Sequence, residues 1–309
     1  MVMGESGMSQ TRWTTKNISD NSGRTICITG ANSGLGLEAA RNLVGAGAHV
    51  IMACRNAEKA EAAAQSLRSG KGSVEVRQLD LASLASIRQF SEQLLADGIE
   101  LDGLMNNAGL MALDQSRTED GFETQIGVNH LGHFALTGLL LPSLMKRPNS
   151  RIVNVSSMGH IPGKIHLDDL MCDRRRYSRW GAYFQSKLAN ILFTNELERR
   201  LRETQSTTIA LAAHPGTART ELGKSGSSAT NFVMRRLTPV LTRTGVQGCE
   251  AQVRAMVDPQ ATGREYYGPK FQMFGAPVKV TPSKRARNMN DARRLWEISE
   301  ELTGVKYPF

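Results

Sequence analysis

Hydrophobic positions along the chain follow two alternating patterns from residue 24 to about residue 213. Short β-branched or apolar runs, most of them bounded by Gly, Asn or Ser, predict buried strands at 24–29, 48–53, 73–79, 101–105, 151–155 and 208–213. Longer stretches of helical character lie between them, at 35–46, 57–69, 83–96, 123–146 and 180–203. This alternation predicts an α/β fold, a single domain with a doubly wound Rossmann-type parallel sheet and helices on both faces.

The two ends of the chain depart from this alternation. Residues 1–22 are polar and predict an N-terminal extension, so that 23–309 form one dinucleotide-binding catalytic domain. After Pro215 and Gly216 comes a Ser/Thr-rich stretch with an apolar helical patch at 232–241. We expect 217–245 to form a lid over the site, because loops after the carboxyl ends of strands carry function in such sheets. An ordinary pair of surface helices is the alternative. A helix at 290–301 should pack back on the domain.

The chain has 309 residues, of which 40% are hydrophobic, which suits a soluble globular domain with a sizeable core. Neither a signal peptide nor an apolar segment long enough to span a membrane is predicted. The four cysteines are far apart, at Cys27, Cys54, Cys172 and Cys249. With no Cys-x-x-Cys pair, they indicate free thiols in a reducing cytoplasm. His130 and His133 are interpreted as packing or capping residues, since no pattern completes a metal site, and no metal is expected.

A formal net charge of +9 raises the question of a nucleic-acid partner. The basic residues are scattered along helices, with local clusters at 174–176, 199–202 and 284–287. Few aromatic residues lie among them, and no nucleic-acid motif is present. We interpret the charge as solvated helix faces together with attraction for an anionic cofactor, and we expect no nucleic-acid partner.

Tyr183 and Lys187 are spaced by about one helical turn, so their side chains share a face of the predicted helix. A cation about 4 Å from a phenol, at an effective dielectric constant of about 20, favours phenolate by roughly 4 kcal/mol, or about three pKa units. The pair therefore predicts a tyrosine whose pKa is lowered toward neutral pH, where it can transfer a proton.

A glycine-rich turn follows the first predicted strand and opens the first predicted helix. Its spacing, Gly30-x-x-x-Gly34-x-Gly36, is a variant of the dinucleotide-binding turn. Glycines at these positions allow a tight turn and a close approach of the backbone to a pyrophosphate, whose charge is met by the helix N-terminus.

The end of the second strand distinguishes the two nicotinamide cofactors. An acidic residue there would bind the ribose 2′-hydroxyl and repel a 2′-phosphate, but this chain has Arg55 followed by Asn56. A guanidinium suits a phosphate through charge-assisted hydrogen bonds, so we predict NADP(H) rather than NAD(H). Asp80, at the end of the third strand, either accepts from the adenine amino group or caps the helix that starts near Ser83.

Together these residues resemble the short-chain dehydrogenase/reductase family over roughly residues 24–220. The motifs that carry the resemblance are the glycine-rich turn, Asn106-Asn107-Ala108-Gly109, Asn129 in Val-Asn-His-Leu-Gly-His-Phe, Ser157 in Asn-Val-Ser-Ser, Tyr183-x-x-x-Lys187, and Pro215-Gly216 with Thr220. Within the family, the segments around Arg55, 186–197 and 214–222 are similar to the branch of retinol dehydrogenases and related bacterial oxidoreductases. The insert between Ser157 and Tyr183 is longer than in the commonest family members, as it is in that branch.

The resemblance implies roles for individual residues. Tyr183 would be the catalytic acid/base, Lys187 would lower its pKa and bind the nicotinamide ribose, and Asn129 would hold a water that links Lys187 to solvent. Ser157 would hydrogen-bond the substrate oxygen, although Ser156 follows the same strand and only one of the two can face the site. The implied cofactor site comprises Gly30, Asn32, Ser33, Gly34, Leu35, Gly36, Arg55, Asn56, Asp80, Leu81, Asn107, Ala108, Gly109, Tyr183, Lys187, Pro215, Gly216, Thr217 and Thr220.

The function implied is an NADP(H)-dependent oxidoreductase that transfers hydride between the nicotinamide and an alcohol or carbonyl group. The apolar patch at 232–241 favours a lipophilic small-molecule substrate, such as a retinoid, a steroid or a ketone. A non-catalytic NADP(H)-sensing regulator is the alternative, but such relatives usually lose the tyrosine or the lysine. A homo-oligomer built through helices is frequent in the family, and no residue of this sequence decides the oligomeric state.

Overall fold

The computed structural model describes residues 13–216 and 248–309, and one mixed sheet runs through them. Its strands are β1 Thr25–Thr29, β2 His49–Cys54, β3 Ser73–Gln78, β4 Gly103–Asn106, β5 Arg151–Val155, β6 Ile209–Ala213, β7 Tyr266–Pro269 and β8 Pro277–Lys279. Their order across the sheet is β3-β2-β1-β4-β5-β6-β7-β8. Strands β1 to β7 are parallel, and β8 pairs antiparallel with β7.

Helices cover both faces of the sheet, as the sequence predicts. They are α1 Gly34–Gly45, α2 Ala57–Gln65, α3 Leu84–Ala96, α4 Thr124–Ile126, α5 Gly132–Lys146, α6 Arg179–Glu203, α7 Glu250–Val257 and α8 Met289–Thr303. Successive side chains of a strand point to opposite faces, so Ile26 and Ile28 of β1 join the core under α1, α2 and α7. Cys27, between them, joins the core under α3, α5 and α6.

The sheet contains two strands that the sequence pattern does not predict. The six predicted strands are confirmed to within two residues at either end, whereas β7 and β8 are short and contain Gly or Pro. The sheet is mostly parallel, as predicted, and its one antiparallel pair among the described strands is β7 with β8 at this edge. At the opposite edge, β3 forms where a strand is predicted, but the expectation that it is buried is wrong, since each of its residues is partly or fully exposed.

The helix predicted at 123–146 is interrupted. A π-helical turn, Gly127–Leu131, separates α4 from α5 and places Asn129 at the irregularity. Such turns inside helices are often found at functional sites, because the extra residue frees backbone groups and redirects side chains.

The C-terminal helix packs back on the domain, as predicted. Trp296 of α8 is 2% exposed, and its ring centroid lies 5.0 Å from that of Phe134 on α5 and 5.9 Å from that of Phe193 on α6. Beyond α8, the Tyr307 hydroxyl donates to the Phe134 carbonyl at 2.7 Å. A Cβ at Gly138 would lie 2.7 Å from the Tyr307 ring, so the tail fits only against a glycine. Thus α8 and the tail cover outer faces of α5 and α6.

The described part of the predicted N-terminal extension also packs against the domain. Trp13 and Ile18 contact the core under α1 and α7, and the guanidinium of Arg254 lies 5.8 Å from the centroid of the Trp13 ring. In the residues that the structure describes, no helix is long and apolar enough to cross a bilayer.

The direction in which strands are added reverses between β1 and β4. From β1 the sheet grows through β2 to β3 on one side and through β4 to β7 on the other. At such a reversal the loops after the two central strands diverge and leave a crevice at their carboxyl ends, where ligands bind in open α/β sheets. The glycine-rich turn after β1 and the Asn106–Gly109 segment after β4 meet there.

Candidate active site

The glycine-rich turn connects β1 to α1 with backbone conformations that favour glycine. Gly30 and Gly34 have positive φ angles, +65° and +54°. A Cβ at Gly36 would lie 2.5 Å from the Gly30 carbonyl oxygen and 2.6 Å from Nδ2 of Asn107. The turn therefore closes tightly on itself and on the segment after β4, and its backbone N–H groups lead into the N-terminus of α1 at Gly34, which favours an anion.

A cleft of about 460 Å³ lies along this turn. Twelve of the predicted cofactor residues line it: Gly30, Asn32, Ser33, Gly34, Leu35, Gly36, Arg55, Asp80, Leu81, Asn107, Ala108 and Gly109. Seven further lining residues were not predicted: Ala53, Lys59, Leu79, Leu110, Met111, Leu113 and Val128. The cleft combines backbone groups at one wall with apolar side chains at the others, a suitable environment for a nucleotide with a planar base.

Two cations stand at the β2 end of the cleft. Arg55 follows β2 directly, and Lys59 lies in the first turns of α2; both side chains are exposed and line the cleft. Asn56, predicted to bind the cofactor, instead caps α2: its Oδ1 accepts from the Lys59 backbone N–H at 2.7 Å. That cap fixes the start of α2 and with it the position of Lys59. In the sequence, Lys59 is recognisable only as a basic residue in the first turn of the helix predicted to follow Arg55.

Asp80 lines the cleft and is not a helix cap. Its Oδ1 accepts from the backbone N–H of Ala82 at 2.9 Å, which orders the turn after β3. The N-cap of α3 is Ser83, whose hydroxyl accepts from the Ser86 N–H. The capping alternative for Asp80 is therefore wrong.

Asn107 holds the two central loops together. Its Nδ2 donates to the Thr29 carbonyl and its backbone N–H donates to the Thr29 hydroxyl, both at 2.9 Å. Its Oδ1 accepts from Nε2 of Gln252 on α7 at 2.9 Å. With both side-chain groups engaged, Asn107 shapes the cleft floor.

Tyr183, Ser157 and Lys187 come together where the sequence predicts an active site. Tyr183 and Lys187 occupy one face of α6, and both are almost fully buried, 6% and 4% exposed. The Tyr183 phenol is hydrogen-bonded to the Ser157 hydroxyl. Ser156 points elsewhere, because its hydroxyl donates to the Lys187 carbonyl at 2.7 Å. The structure thus places Ser157, and not Ser156, beside the tyrosine.

Electrostatics at the tyrosine differ from the expectation that Lys187 lowers its pKa. Burial raises the pKa of Tyr183, and the hydrogen bond with Ser157 opposes this only in part. The ammonium Nζ of Lys187 lies 5.8 Å from the centroid of the tyrosine ring and donates to the Val155 carbonyl at 3.2 Å. Burial in turn lowers the pKa of Lys187 to about 8. Desolvation, which sequence spacing does not reveal, outweighs the attraction between the two charges.

Asn129 is fully buried, and its side chain binds protein groups. Its Oδ1 accepts from the Leu110 N–H at 2.7 Å, while its Nδ2 donates to the Leu110 carbonyl and to the Ser186 hydroxyl, each at 2.9 Å. The Asn129 side chain thus connects the loop after β4 to α6, where its partner Ser186 lies between Tyr183 and Lys187 in the sequence. The backbone carbonyl of Asn129 accepts from Nδ1 of His133 at 3.1 Å.

Gly109 connects the cleft to the catalytic residues. It lines the cleft, and a Cβ at this position would lie 3.3 Å from both the Lys187 Nζ and the Asn129 Oδ1. A ligand that extends along the cleft past Gly109 therefore reaches Lys187 without obstruction by a side chain at that point.

The predicted residues after β6 are described only in part. Gly216 has a φ of +70°, and its N–H donates to Nδ1 of His214 at 3.3 Å. It packs against the β7–β8 loop, since a Cβ there would lie 2.7 Å from the Met273 carbonyl oxygen. Pro215 and Gly216 do not line the cleft itself. Thr217, Thr220 and the lid predicted at 217–245 lie outside the described residues.

The buried histidines of the π-helical turn and α5 pack in the core. Nε2 of His133 lies 2.9 Å from the Thr29 hydroxyl, and Nε2 of His130 lies 3.0 Å from the Ser299 hydroxyl. Burial lowers the pKa values of His130 and His133 to about 3 and about 4. Within residues 13–216 and 248–309, no group of three His, Cys, Asp or Glu side chains is placed to bind a metal. All four cysteines are buried.

Comparison with known proteins assigns this arrangement to a family. The family model of the short chain dehydrogenases matches residues 24–231. The chain belongs to this family, whose members bind a nicotinamide cofactor and act on CH–OH donors, and it is an oxidoreductase.

Within the family the chain is retinol dehydrogenase-like. It is 44% identical to human retinol dehydrogenase 12 over 92% of this chain and 88% of the relative. It is 43% identical to human retinol dehydrogenase 13 over 93% of this chain and 86% of the relative. A crystal structure of an uncharacterized protein from Mycobacterium paratuberculosis has 46% identity and a TM-score of 0.82, and the match covers 97% of this chain and all of that one, 100%.

Proposed function

We propose that the protein is an NADP(H)-dependent oxidoreductase that transfers hydride between the nicotinamide and an alcohol or carbonyl carbon of a lipophilic substrate. The observation that carries the proposal is the buried cluster of Tyr183, Ser157 and Lys187 at the end of a cleft lined by a glycine-rich turn. The bound cofactor supplies or accepts the hydride. The chain supplies the proton, the hydrogen bonds that stabilise charge on the substrate oxygen, and a site that excludes water.

Tyr183 is the proton donor in the direction of reduction. Its raised pKa keeps the phenol protonated at neutral pH, so it can donate to the oxygen of a carbonyl as negative charge develops there. Ser157, hydrogen-bonded to the same phenol, donates to that oxygen from a second direction. Lys187, whose pKa is lowered only to about 8, remains mostly charged at pH 7 and stabilises the phenolate that is left.

The residues at the two ends of the cleft fit the two ends of NADP(H). Arg55 and Lys59 offer two cations to a 2′-phosphate at the β2 end, and among the described residues that line the cleft the only acidic side chain is Asp80, which follows β3. At the other end, Lys187 is close enough to Gly109 to donate to a ribose hydroxyl. Asn129 supports this end through its three hydrogen bonds to Leu110 and Ser186.

An apolar rim supports a lipophilic substrate. Phe271 and Phe274, in the loop between β7 and β8, are 58% and 60% exposed, and Met273 of the same loop abuts Gly216. This loop packs against Gly216 after β6, and exposed apolar side chains of this size are typical of surfaces that bind apolar groups. The names of the curated relatives point the same way, since retinol is an apolar alcohol.

The test of the activity is hydride transfer from NADPH to a panel of retinaldehyde, steroid ketones, and small charged and uncharged ketones. We expect turnover on the apolar members and a loss of at least about 10³-fold in kcat for Tyr183→Phe, because the proton donor is removed. Binding of NADPH by Tyr183→Phe should stay within about threefold of the wild type. Equal turnover by Tyr183→Phe and the wild type would contradict the role of Tyr183, and no turnover by the wild type on any member of the panel would favour the non-catalytic sensor, for which the relatives give no support.

The test of the cofactor is the ratio of kcat/KM for NADPH over NADH. Arg55→Asp should lower this ratio by about 10²-fold or more, because a cation at the 2′-phosphate is replaced by an anion. Arg293→Asp makes the same charge change on the exposed side of α8, outside the cleft lining, and serves as the matched control. A ratio that Arg55→Asp leaves unchanged would refute the NADP(H) assignment.

A further inference from the structure

His160 lies three residues after Ser157 and is not among the residues that touch cofactor or substrate. It is the last residue of a 3₁₀ turn, Met158–His160, that begins directly after Ser157. Its imidazole is 3% exposed. Side chains or backbone from three places in the chain surround it: the end of β5, strand β7, and the segment that follows β8.

The hydrogen bonds of His160 determine which ring nitrogen carries the proton. Nδ1 lies 2.7 Å from the Ser157 carbonyl oxygen, which can only accept, so Nδ1 carries the hydrogen and donates. Nε2 is then an acceptor, and it receives the Ser283 backbone N–H at 3.1 Å. A neutral imidazole satisfies both bonds, and burial, which lowers the pKa of His160, favours that neutral form.

The ring is also fixed by packing against Tyr266. The two rings are perpendicular, with an interplanar angle of 89° and centroids 5.4 Å apart. The Tyr266 hydroxyl is 3.4 Å from Nδ1 of His160 and hydrogen-bonds the Ser156 hydroxyl. Hence His160 is held on both of its nitrogens and against one face, and it has a single orientation.

The turn that His160 anchors also sets the direction of the Ser157 hydroxyl. Ser157 contributes its carbonyl to Nδ1 and to the backbone N–H of His160, and its hydroxyl accepts from the Gly159 N–H at 3.1 Å. The turn is too crowded to adjust, since a Cβ at Gly159 would lie 2.9 Å from the Phe184 ring and 3.1 Å from the Tyr183 ring. A rotation of the Ser157 peptide would therefore move the hydroxyl relative to the Tyr183 phenol.

We propose that His160 is a positioning residue: by donating from Nδ1 to the Ser157 carbonyl, with Ser283 fixing the tautomer, it aims the Ser157 hydroxyl at the phenol of Tyr183 and at the substrate oxygen. This rests on the proposed function, since it presupposes that Ser157 acts on that oxygen. It adds a connection between the catalytic turn and the antiparallel β7–β8 edge of the sheet. Misplacement of a catalytic group by about 1 Å can cost about 10²-fold in rate, so such an anchor affects catalysis without touching the substrate.

Two amide substitutions of His160 can test the two hydrogen bonds of its imidazole one at a time. In His160→Asn the side-chain amide lies near the position of Nδ1 and can donate to the Ser157 carbonyl. In His160→Gln it lies nearer the position of Nε2 and can bond only the Ser283 side. His160→Phe keeps the ring and its packing on Tyr266 but makes neither bond. Tyr307→Phe, which loses a buried hydrogen bond to the Phe134 carbonyl far from Ser157, is the control for a general loss of stability.

The experiment measures kcat, the dissociation constant of NADPH, and the primary isotope effect with deuterated NADPH, for a substrate that the wild type reduces. We expect kcat of His160→Gln and His160→Phe to fall about tenfold or more, and that of His160→Asn to stay within about fivefold of the wild type. The NADPH dissociation constant should be unchanged within about twofold in all three, and the isotope effect should rise where kcat falls. Tyr307→Phe should retain the wild-type kcat.

The outcomes distinguish this inference from the proposed function. A wild type without any reductase activity refutes the proposed function. An active wild type whose kcat is matched by His160→Phe, or a His160→Gln variant at least as active as His160→Asn, overturns the role of His160. A loss of NADPH affinity in parallel with kcat also overturns it, because that pattern indicates general disruption.

Discussion

At the scale of single residues, the protonation states of Tyr183 and Lys187 follow from burial more than from their mutual attraction. Both groups are taken out of water, which disfavours a phenolate and an ammonium alike. The hydrogen bond with Ser157 lowers the pKa of Tyr183 and offsets part of the effect of burial. The resting pair therefore consists of a protonated phenol and an ammonium that is still mostly charged at pH 7.

This balance predicts opposite pH dependences for the two directions of the reaction. Reduction needs the phenol, so kcat/KM for a ketone should be flat between about pH 6 and pH 7 and fall through about pH 8, where Lys187 loses its proton. Oxidation needs the phenolate, so kcat/KM for the alcohol should be low at pH 7 and rise up to pH 9 or above. Steady-state kinetics in both directions over about pH 6–10 would check this, and an oxidation limb that is complete below about pH 7 would show that the pKa of Tyr183 is lowered instead.

The Ser157→Ala variant tests whether Ser157 lowers or raises the pKa of Tyr183. Because the hydrogen bond from Ser157 lowers the pKa of Tyr183, its removal should move the alkaline limb of oxidation to higher pH, in addition to lowering kcat. A limb that moves to lower pH in Ser157→Ala would contradict the assigned role of this bond.

At the scale of elements, the turn between β1 and α1 shows how close contact of two loops makes the cleft. Gly36 packs closely against the Gly30 carbonyl and the side chain of Asn107. The Asn107 side chain in turn hydrogen-bonds Thr29 and Gln252. One packed unit is thus formed by the glycine-rich turn, the loop after β4 and α7. A substitution in the turn should therefore disturb the packing of all three.

Gly36→Ala should therefore weaken cofactor binding strongly. The new methyl group would lie 2.5 Å from a backbone oxygen, so the turn must open, and we expect the NADPH dissociation constant to rise by about 10²-fold or more and the protein to lose about 1–3 kcal/mol of stability. Gly45→Ala, at the other end of the same helix, meets nothing within 4 Å and is the matched control. It should bind NADPH like the wild type and gain up to about 1 kcal/mol from helix propensity. Calorimetric titration and thermal unfolding measure both, and normal affinity in Gly36→Ala would refute the proposed crowding.

The elements that the sequence predicts are those with strong local patterns. β1, β2 and β5 are short runs rich in β-branched or apolar residues, and α6 carries its catalytic pair at a helical spacing. β7 and β8 could not be predicted, because they exist only through pairing with β6 and with each other and contain Gly and Pro. The same holds for the site: the glycine turn and Tyr183–Lys187 are local motifs, whereas the hydrogen bonds of His160 and the raised pKa of Tyr183 depend on residues that are distant in the sequence.

At the scale of the whole molecule, the interior holds several histidines that are neutral because they are buried. Burial lowers the pKa of His130 to about 3 and those of His133 and His214 to about 4. They lie in three different parts of the fold: the π-helical turn, α5, and the end of β6. The stability of the protein at acidic pH should therefore depend on histidines throughout the fold and not on the catalytic cleft.

The sign of the pH dependence follows from these shifts. Above about pH 6.5 a histidine is neutral in both the folded and the unfolded chain and contributes no pH dependence. Below about pH 6.5, these histidines bind protons in the unfolded chain, whereas in the folded chain they stay neutral until about pH 3–4. The free energy of unfolding should therefore fall as the pH drops from about 6.5 to about 4, with a slope of up to roughly 1.4 kcal/mol per pH unit for each histidine.

Urea unfolding at several pH values between about 5 and 7.5 would measure this slope. With three such histidines the free energy of unfolding of the wild type should fall at up to roughly 4 kcal/mol per pH unit near pH 5. Because the side chain of His130→Gln cannot titrate, the slope of this variant should be smaller by the contribution of one proton, roughly 1.4 kcal/mol per pH unit. Tyr307→Phe should lower stability by the same amount at every pH, because it removes a hydrogen bond without a titrating group. A wild type equally stable at pH 7.5 and pH 5 would mean that these imidazoles accept protons inside the fold, and would contradict this prediction.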